Sequence, residues 1–177
     1  SLNYNDGLLT NLVPQDKPND FYNACLTRAK ELLVEKLERD RAALAADPLN
    51  ADDENKIADF NAFINDDSKS YAEIKRRRRA FKLTPAYRKK RLADHIDAVE
   101  RTLAYKGYTR SFIKRNGMTF GYSSRAPGFA DQLMEDVMKP LSQDVRAERI
   151  AEHPFGPDGG FIAAHLLAQI HEQAIRE

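Results

Sequence analysis

Apolar positions recur at helical spacing over most of the chain. Leu26, Leu33, Leu37 and Leu44 follow one another at intervals of seven, four and seven, so they share one face of a helix running from Phe21 to about Ala46. Asn19 or Asp20 supplies its cap, and Pro48 pushes the preceding residue out of helical geometry, which ends the helix near Asp47. Ile57, Phe60 and Ile64 continue the pattern after the acidic cluster Asp52, Asp53 and Glu54, whose charges suit a helix N-terminus. The same phase resumes with Tyr71, Ile74 and Phe81, which allows one long helix. Ser70 and Glu73, however, form a capping box and favour a fresh start there. Thr84 followed by Pro85 pairs a cap with a preferred first helical residue; Leu92, Ile96, Val99 and Leu103 carry the next stripe, and Gly107 closes it.

The pattern changes between Tyr108 and Ser123. Phe112, Ile113, Met118, Phe120 and Tyr122 flank Asn116-Gly117, the dipeptide that best tolerates the positive φ angles of a tight turn, so a β-hairpin is expected over about residues 108–123. The competing reading is a helix stopped at Asn116 and Gly117. Helical spacing returns from Phe129 through Leu133, Val137 and Met138, is interrupted or kinked near Pro140, and continues through Val145 and Ile150 to about His153. A turn-rich break from His153 to Gly160 precedes a last helix carrying Phe161, Ile162, Leu166, Ile170 and Ile175. Residues 1–20 lack periodicity and read as an irregular N-terminal arm. Residues 21–177 hold no internal repeat and no long linker. The expected fold class is therefore mainly α: a single helical domain of about six helices with one β-hairpin.

Composition supports that picture. The chain has 177 residues, 42% hydrophobic and 31% charged, which is globular rather than disordered composition. At this size about 70% of the unfolded surface can be buried, so no metal or disulfide staple is required. One cysteine, Cys25, excludes an intramolecular disulfide and points to a reducing compartment. With no apolar run near the roughly 20 residues of a membrane helix, and no leader pattern, the expected location is cytoplasmic, with no membrane span.

Charge adds more. Residues 1–73 carry 8 basic and 15 acidic side chains, net −7; residues 74–125 carry 16 and 3, net +13; residues 126–177 carry 4 and 9, net −5. A near-neutral chain thus holds a cationic centre, residues 74–125, between acidic flanks, a polarity that bears on partners rather than on fold. Its sharpest part is Lys75, Arg76, Arg77, Arg78 and Arg79, then Lys82, then Arg88, Lys89, Lys90 and Arg91. Arg78 lies near the apolar stripe of Tyr71, Ile74 and Phe81, so it must snorkel, pair with an acid or line a partner surface. Arg88 to Arg91 crowd the first turns of a helix, where the dipole disfavours cations by about 0.3–1 kcal/mol each. Such crowding calls for compensating negative charge, either the chain's own carboxylates or external phosphate.

Arg110, Lys114 and Arg115 extend the basic run among the aromatic residues of the expected hairpin. Two basic helices followed by a basic hairpin resemble a helix-turn-helix with a wing, and aromatics there suit stacking on unpaired bases. The function expected on these grounds is a non-catalytic nucleic-acid-binding module, for DNA or RNA. The alternative is a protein-interaction or assembly module whose basic face docks an acidic partner or another copy, which would make an oligomer. Catalytic chemistry has less to stand on. His95, His153, His165 and His171 form no His-x-x-x-His pair, Cys25 lies in an amphipathic stripe, and no nucleophile elbow or phosphate-cradling glycine loop is present. A nuclease using an acidic cluster and a divalent metal is the one concrete enzyme reading. Asp52–Glu54 and Asp66-Asp67 nevertheless read as helix-terminal caps, and no catalytic residue, metal or cofactor is assigned. The His153–Gly160 loop reads as a structural corner with Asp158 capping the last helix; anion binding at that helix N-terminus is the rival.

Overall fold

The structure is a computed structural model of the chain and describes residues 20–177. The arm expected over residues 1–20 lies, apart from Asp20, outside the described residues. The helices are α1 (Phe21–Ala46), α2 (Ala51–Ile64), α3 (Tyr71–Lys82), α4 (Pro85–Ala104), α5 (Arg110–Phe120), α6 (Ala126–Leu133), a π-helical turn (Met134–Met138), α7 (Lys139–Arg146) and α8 (Phe161–Arg176). Because α6, the π turn and α7 follow without a break, the described residues form seven helical rods, and no strand is found among them.

Local capping sets most boundaries. The Asp20 carboxylate accepts from the Tyr22 N–H at 2.9 Å and opens α1. Asn50 with Asp53, and Ser70 with Glu73, form reciprocal capping boxes, so α2 and α3 are separate helices. Thr84 accepts from the Tyr87 N–H at 3.2 Å at the head of α4. Asp158 accepts from Gly160 and Ile162 N–H groups at 3.0 and 2.9 Å and caps α8.

The mainly helical class holds, but the β-hairpin expected over residues 108–123 does not form. Residues 110–120 are helical straight through Asn116-Gly117. The reason is non-local: Phe112, Ile113 and Asn116 lie on one buried face, and the Asn116 amide is 1% exposed, hydrogen-bonded inside the molecule rather than at a turn. Gly117 is required by close packing, since a Cβ there would meet the Tyr22 ring at 2.8 Å. The helix expected to reach about His153 instead ends at Arg146, where Ala147 caps it and Glu148 takes a left-handed φ of 56°. Just upstream, Pro140 has no N–H to donate. The π turn accommodates it, with the Lys139 N–H bonding five residues back to the Met134 carbonyl.

The chain packs as two compact units, one of residues 20–36 with 98–177 and one of residues 37–97. In the first, α8 packs on α5, α6 and the π turn. Leu33, Val99, Ile113, Phe129, Met138 and Leu167 are among its fully buried side chains. In the second, α2 packs on α3; Phe60 stacks on Phe81 with ring centroids 4.0 Å apart, and Phe81 meets Tyr87 edge-on at 5.7 Å. No helix among the described residues is long and apolar enough to cross a membrane.

Candidate nucleic-acid interface

In the 37–97 unit, α3 is anchored by little more than Phe81, its one buried residue, with Ile74 partly covered. The remaining positions face solvent, so the helix carries Lys75, Arg76, Arg77, Arg78, Arg79 and Lys82 outward. Lys75, Arg78, Arg79 and Lys82 fall at i, i+3, i+4 and i+7 and form one stripe along the helix. Tyr71 stands at its head, 78% exposed, with the Lys75 ammonium 6.0 Å from its ring centroid. These five side chains and Ile74 line an open concavity of about 410 Å³. Arg78 is therefore not buried and, among the described residues, not ion-paired; it belongs to this exposed surface. Among the described residues, none of the six α3 cations has a carboxylate within 4.0 Å. Arg79 and Lys82 lie in the last turn, where the helix dipole favours cations.

The cations of α4 are spent differently. Lys89 is 5% exposed and donates to Asp53 at 2.7 Å and to Asp47 at 2.9 Å. This bond holds the Asp53 carboxyl below the usual carboxylate range and the Lys89 ammonium above its ordinary value. Arg88 lies 3.8 Å from Asp47, and Lys90 pairs with Asp94 at 2.5 Å. The negative charge that the crowded first turns of α4 call for is thus internal for Arg88, Lys89 and Lys90. Arg91 is exposed, with no ion pair among the described residues.

Arg110, Lys114 and Arg115 belong to the other unit and sit on α5, not on a wing. Arg110 pairs with Asp20 and lies over the Tyr22 ring at 5.1 Å. Arg115 reaches Asp136 at 2.6 Å and Glu135 at 3.3 Å, while Lys114 is exposed without an ion pair among the described residues. Of the thirteen cations expected to meet a polyanion, Arg88, Lys89, Lys90, Arg110 and Arg115 are therefore engaged within the molecule.

A buried polar chain in the same unit escaped sequence reasoning. The Tyr108 hydroxyl donates to His171 Nε2 at 3.0 Å, and His171 Nδ1–H donates to Asn116 Oδ1 at 2.7 Å. Asn116 Nδ2 then donates to Gln132 Oε1 at 2.8 Å, and Gln132 Nε2 to Thr119 Oγ1 at 3.0 Å. Burial pushes the His171 imidazole down to about 3, so it is neutral at physiological pH. The available signal was its place on the α8 face shared with Leu167 and Ala174. His153 is also internal, accepting from the Phe155 N–H at 3.1 Å and donating to the Met138 carbonyl at 3.1 Å.

Other candidates resolve into architecture. Burial pushes the Cys25 thiol up to about 11, which keeps it protonated and unreactive. Asp53 accepts from the Asn50 N–H at 3.2 Å in the capping box of α2, Asp52 pairs with Lys56 at 2.8 Å, and Asp66 accepts from the Ser68 N–H at 2.9 Å. Among the described residues no three His, Cys, Asp or Glu side chains converge as a metal site requires. The Asp158 carboxylate occupies the N-terminal N–H groups of α8 that an anion would need. What remains is the exposed basic surface of α3. Set against family models, curated proteins and solved structures, the chain finds no match in any of the three, so α3 itself carries the functional reading.

Proposed function

We propose that the 37–97 unit is a non-catalytic nucleic-acid-binding module, with α3 as the helix that meets the phosphates. One observation carries this reading: six cations stand within eight positions of an exposed helix, and none has an ion-pair partner among the described residues. Clustered like charges raise the energy of the free protein, and a polyanion relieves that repulsion while releasing its own counterions. The contrast with α4 supports the same reading. There the fold supplies carboxylates to three of the four cations in the first turns; on α3, among the described residues, it supplies none. Arg91 extends the proposed surface, whereas Lys89 serves the fold.

A salt titration tests it. Binding of a labelled 20-mer is followed at rising salt for the wild type and for a variant with Lys75, Arg78, Arg79 and Lys82 replaced by Ala. If these four each meet a phosphate, log K falls against log salt with a slope of about −3 to −4, and the variant loses most of that slope. Replacing Arg115 by Ala, in the other unit, leaves the slope unchanged. Absence of binding at low salt by the folded wild type overturns the proposal and leaves the basic surface to an acidic protein partner or a second copy.

A further inference from the structure

We infer that the strand taken by α3 is single, with Tyr71 stacking on an unpaired base while Lys75, Arg78, Arg79 and Lys82 follow the phosphates. This rests on the nucleic-acid reading above and adds the ligand class. The first argument is the alignment of four cations on one flank. The stripe runs down one flank of α3, whereas Glu73 lies roughly half a turn round from Lys75 and is held in the capping box by the Ser70 N–H and hydroxyl at 2.8 and 2.7 Å. The Ser70 hydrogen bonds, with smaller electrostatic pulls from Lys69 and Arg76, hold the Glu73 carboxyl below its ordinary value, and Arg77 lays its guanidinium over the Phe63 ring at 5.6 Å. A helix lying in a duplex groove runs between two phosphate backbones. Four of the six α3 cations share the flank headed by Tyr71, which matches one backbone, while Arg76 and Arg77 lie on the remaining sides of the helix.

The second argument is the aromatic ring at the head of the stripe. Phe60, Phe81 and Tyr87 are consumed by the core of this unit, while Tyr71 packs against no other ring among the described residues and is 78% exposed. The Lys75 ammonium lies over its ring, which places a phosphate-binding cation beside a stacking surface. In a duplex the base faces are already stacked on one another. An unpaired base offers its face, and stacking on an aromatic side chain strengthens binding by about 5- to 150-fold. The third argument is shape: the concavity of about 410 Å³ is bounded at once by Tyr71, by apolar Ile74 and by the four stripe cations. That mix suits a flat base with its phosphate, and its volume lies within the range of about 300–1,000 Å³ typical of small-ligand clefts.

The experiment measures affinity by fluorescence anisotropy for four probes of equal length: oligo-dT, oligo-rU, a DNA duplex and an abasic DNA strand. The proteins are the wild type, Tyr71→Ala, Tyr71→Phe and the four-fold stripe variant, each checked by circular dichroism for retained helix. The wild type is expected to bind oligo-dT or oligo-rU at least about tenfold more tightly than duplex, the difference between those two probes telling DNA from RNA. Tyr71→Ala loses about tenfold on base-bearing single strands and nothing on the abasic strand, and Tyr71→Phe keeps wild-type affinity. Equal affinity for duplex, or a Tyr71→Ala protein that binds oligo-dT and oligo-rU like the wild type, overturns this inference and leaves the nucleic-acid reading standing. Failure of the wild type to bind any probe overturns both.

Discussion

Lys89 donates to Asp53 at 2.7 Å with both side chains less than a tenth exposed, so a basic residue in the middle of the cationic run holds the 37–97 unit together. Asp53 serves twice, because its other bonds close the capping box of α2. Asp53→Asn preserves the side chain's shape but leaves the buried ammonium with Asp47 alone, and the melting temperature is expected to fall by several degrees. Lys89→Met removes the buried charge together with its need for a partner and is expected to cost less. Thermal melts by circular dichroism order the two; a wild-type melt for Asp53→Asn contradicts the role assigned here. The pair also has a pH signature. The Asp53 carboxyl lies below its ordinary value of 3.8, so its contribution is present above that pH and is lost as pH falls through the lowered folded value.

His171 predicts a second acid sensitivity, of the same sign but setting in at higher pH and arising in the other unit. Its folded value is near 3 against an ordinary 6.5, so between those limits the unfolded chain binds a proton that the folded chain refuses. Stability is therefore unaffected by this group above pH 6.5 and declines below it, by about 1.4 kcal/mol per pH unit at the steepest. Urea melts of the wild type and of His171→Gln across pH 4 to 7 check this. The variant is expected to be less stable at pH 7 but to lose less on acidification. Parallel pH curves would contradict it.

Gly117 in mid-helix sets propensity against packing. Alanine there gains up to about 1 kcal/mol of helix propensity but drives a Cβ into the Tyr22 ring, which is backed by Phe21 and covered by Arg110. Overpacking costs about 1–3 kcal/mol and wins, so Gly117→Ala is expected to lower the melting temperature. In a Tyr22→Ala background the sign reverses and Gly117→Ala raises it. A double-mutant cycle with no coupling between the two sites contradicts the contact.

The parts of the fold legible from sequence are those decided within a few residues. Ser70 with Glu73, Thr84 with Pro85, and Asp20 at the head of α1 act over three positions or fewer, and the structure places them as their spacing predicts. Asn116-Gly117 defeats the same reasoning because its environment is built from far along the chain. His171, 55 residues later, takes up the amide, and Tyr22, 95 residues earlier, occupies the space above the glycine. The candidate site divides likewise. The density of cations on α3 and α4 is plain in the sequence. Which of them are neutralised depends on where the turn at Asp47 and the first turn of α2 deliver their carboxylates, and that is a matter of chain path.

The two units also differ in how they are assembled along the chain. Residues 37–97 are one continuous stretch, so everything that unit packs against leaves the ribosome together. The other unit joins residues before 37 to residues after 97, and α8, the last helix, supplies Leu166, Leu167, Ile170 and His171 to its interior. At about 5–20 residues per second, the buried apolar stripe of Leu26, Ala29, Leu32 and Leu33 waits several seconds of synthesis for the residues after 97 that complete its unit. During that interval the nascent chain presents an uncovered hydrophobic face upstream of the continuous 37–97 unit, and chaperone engagement is most useful to this protein there.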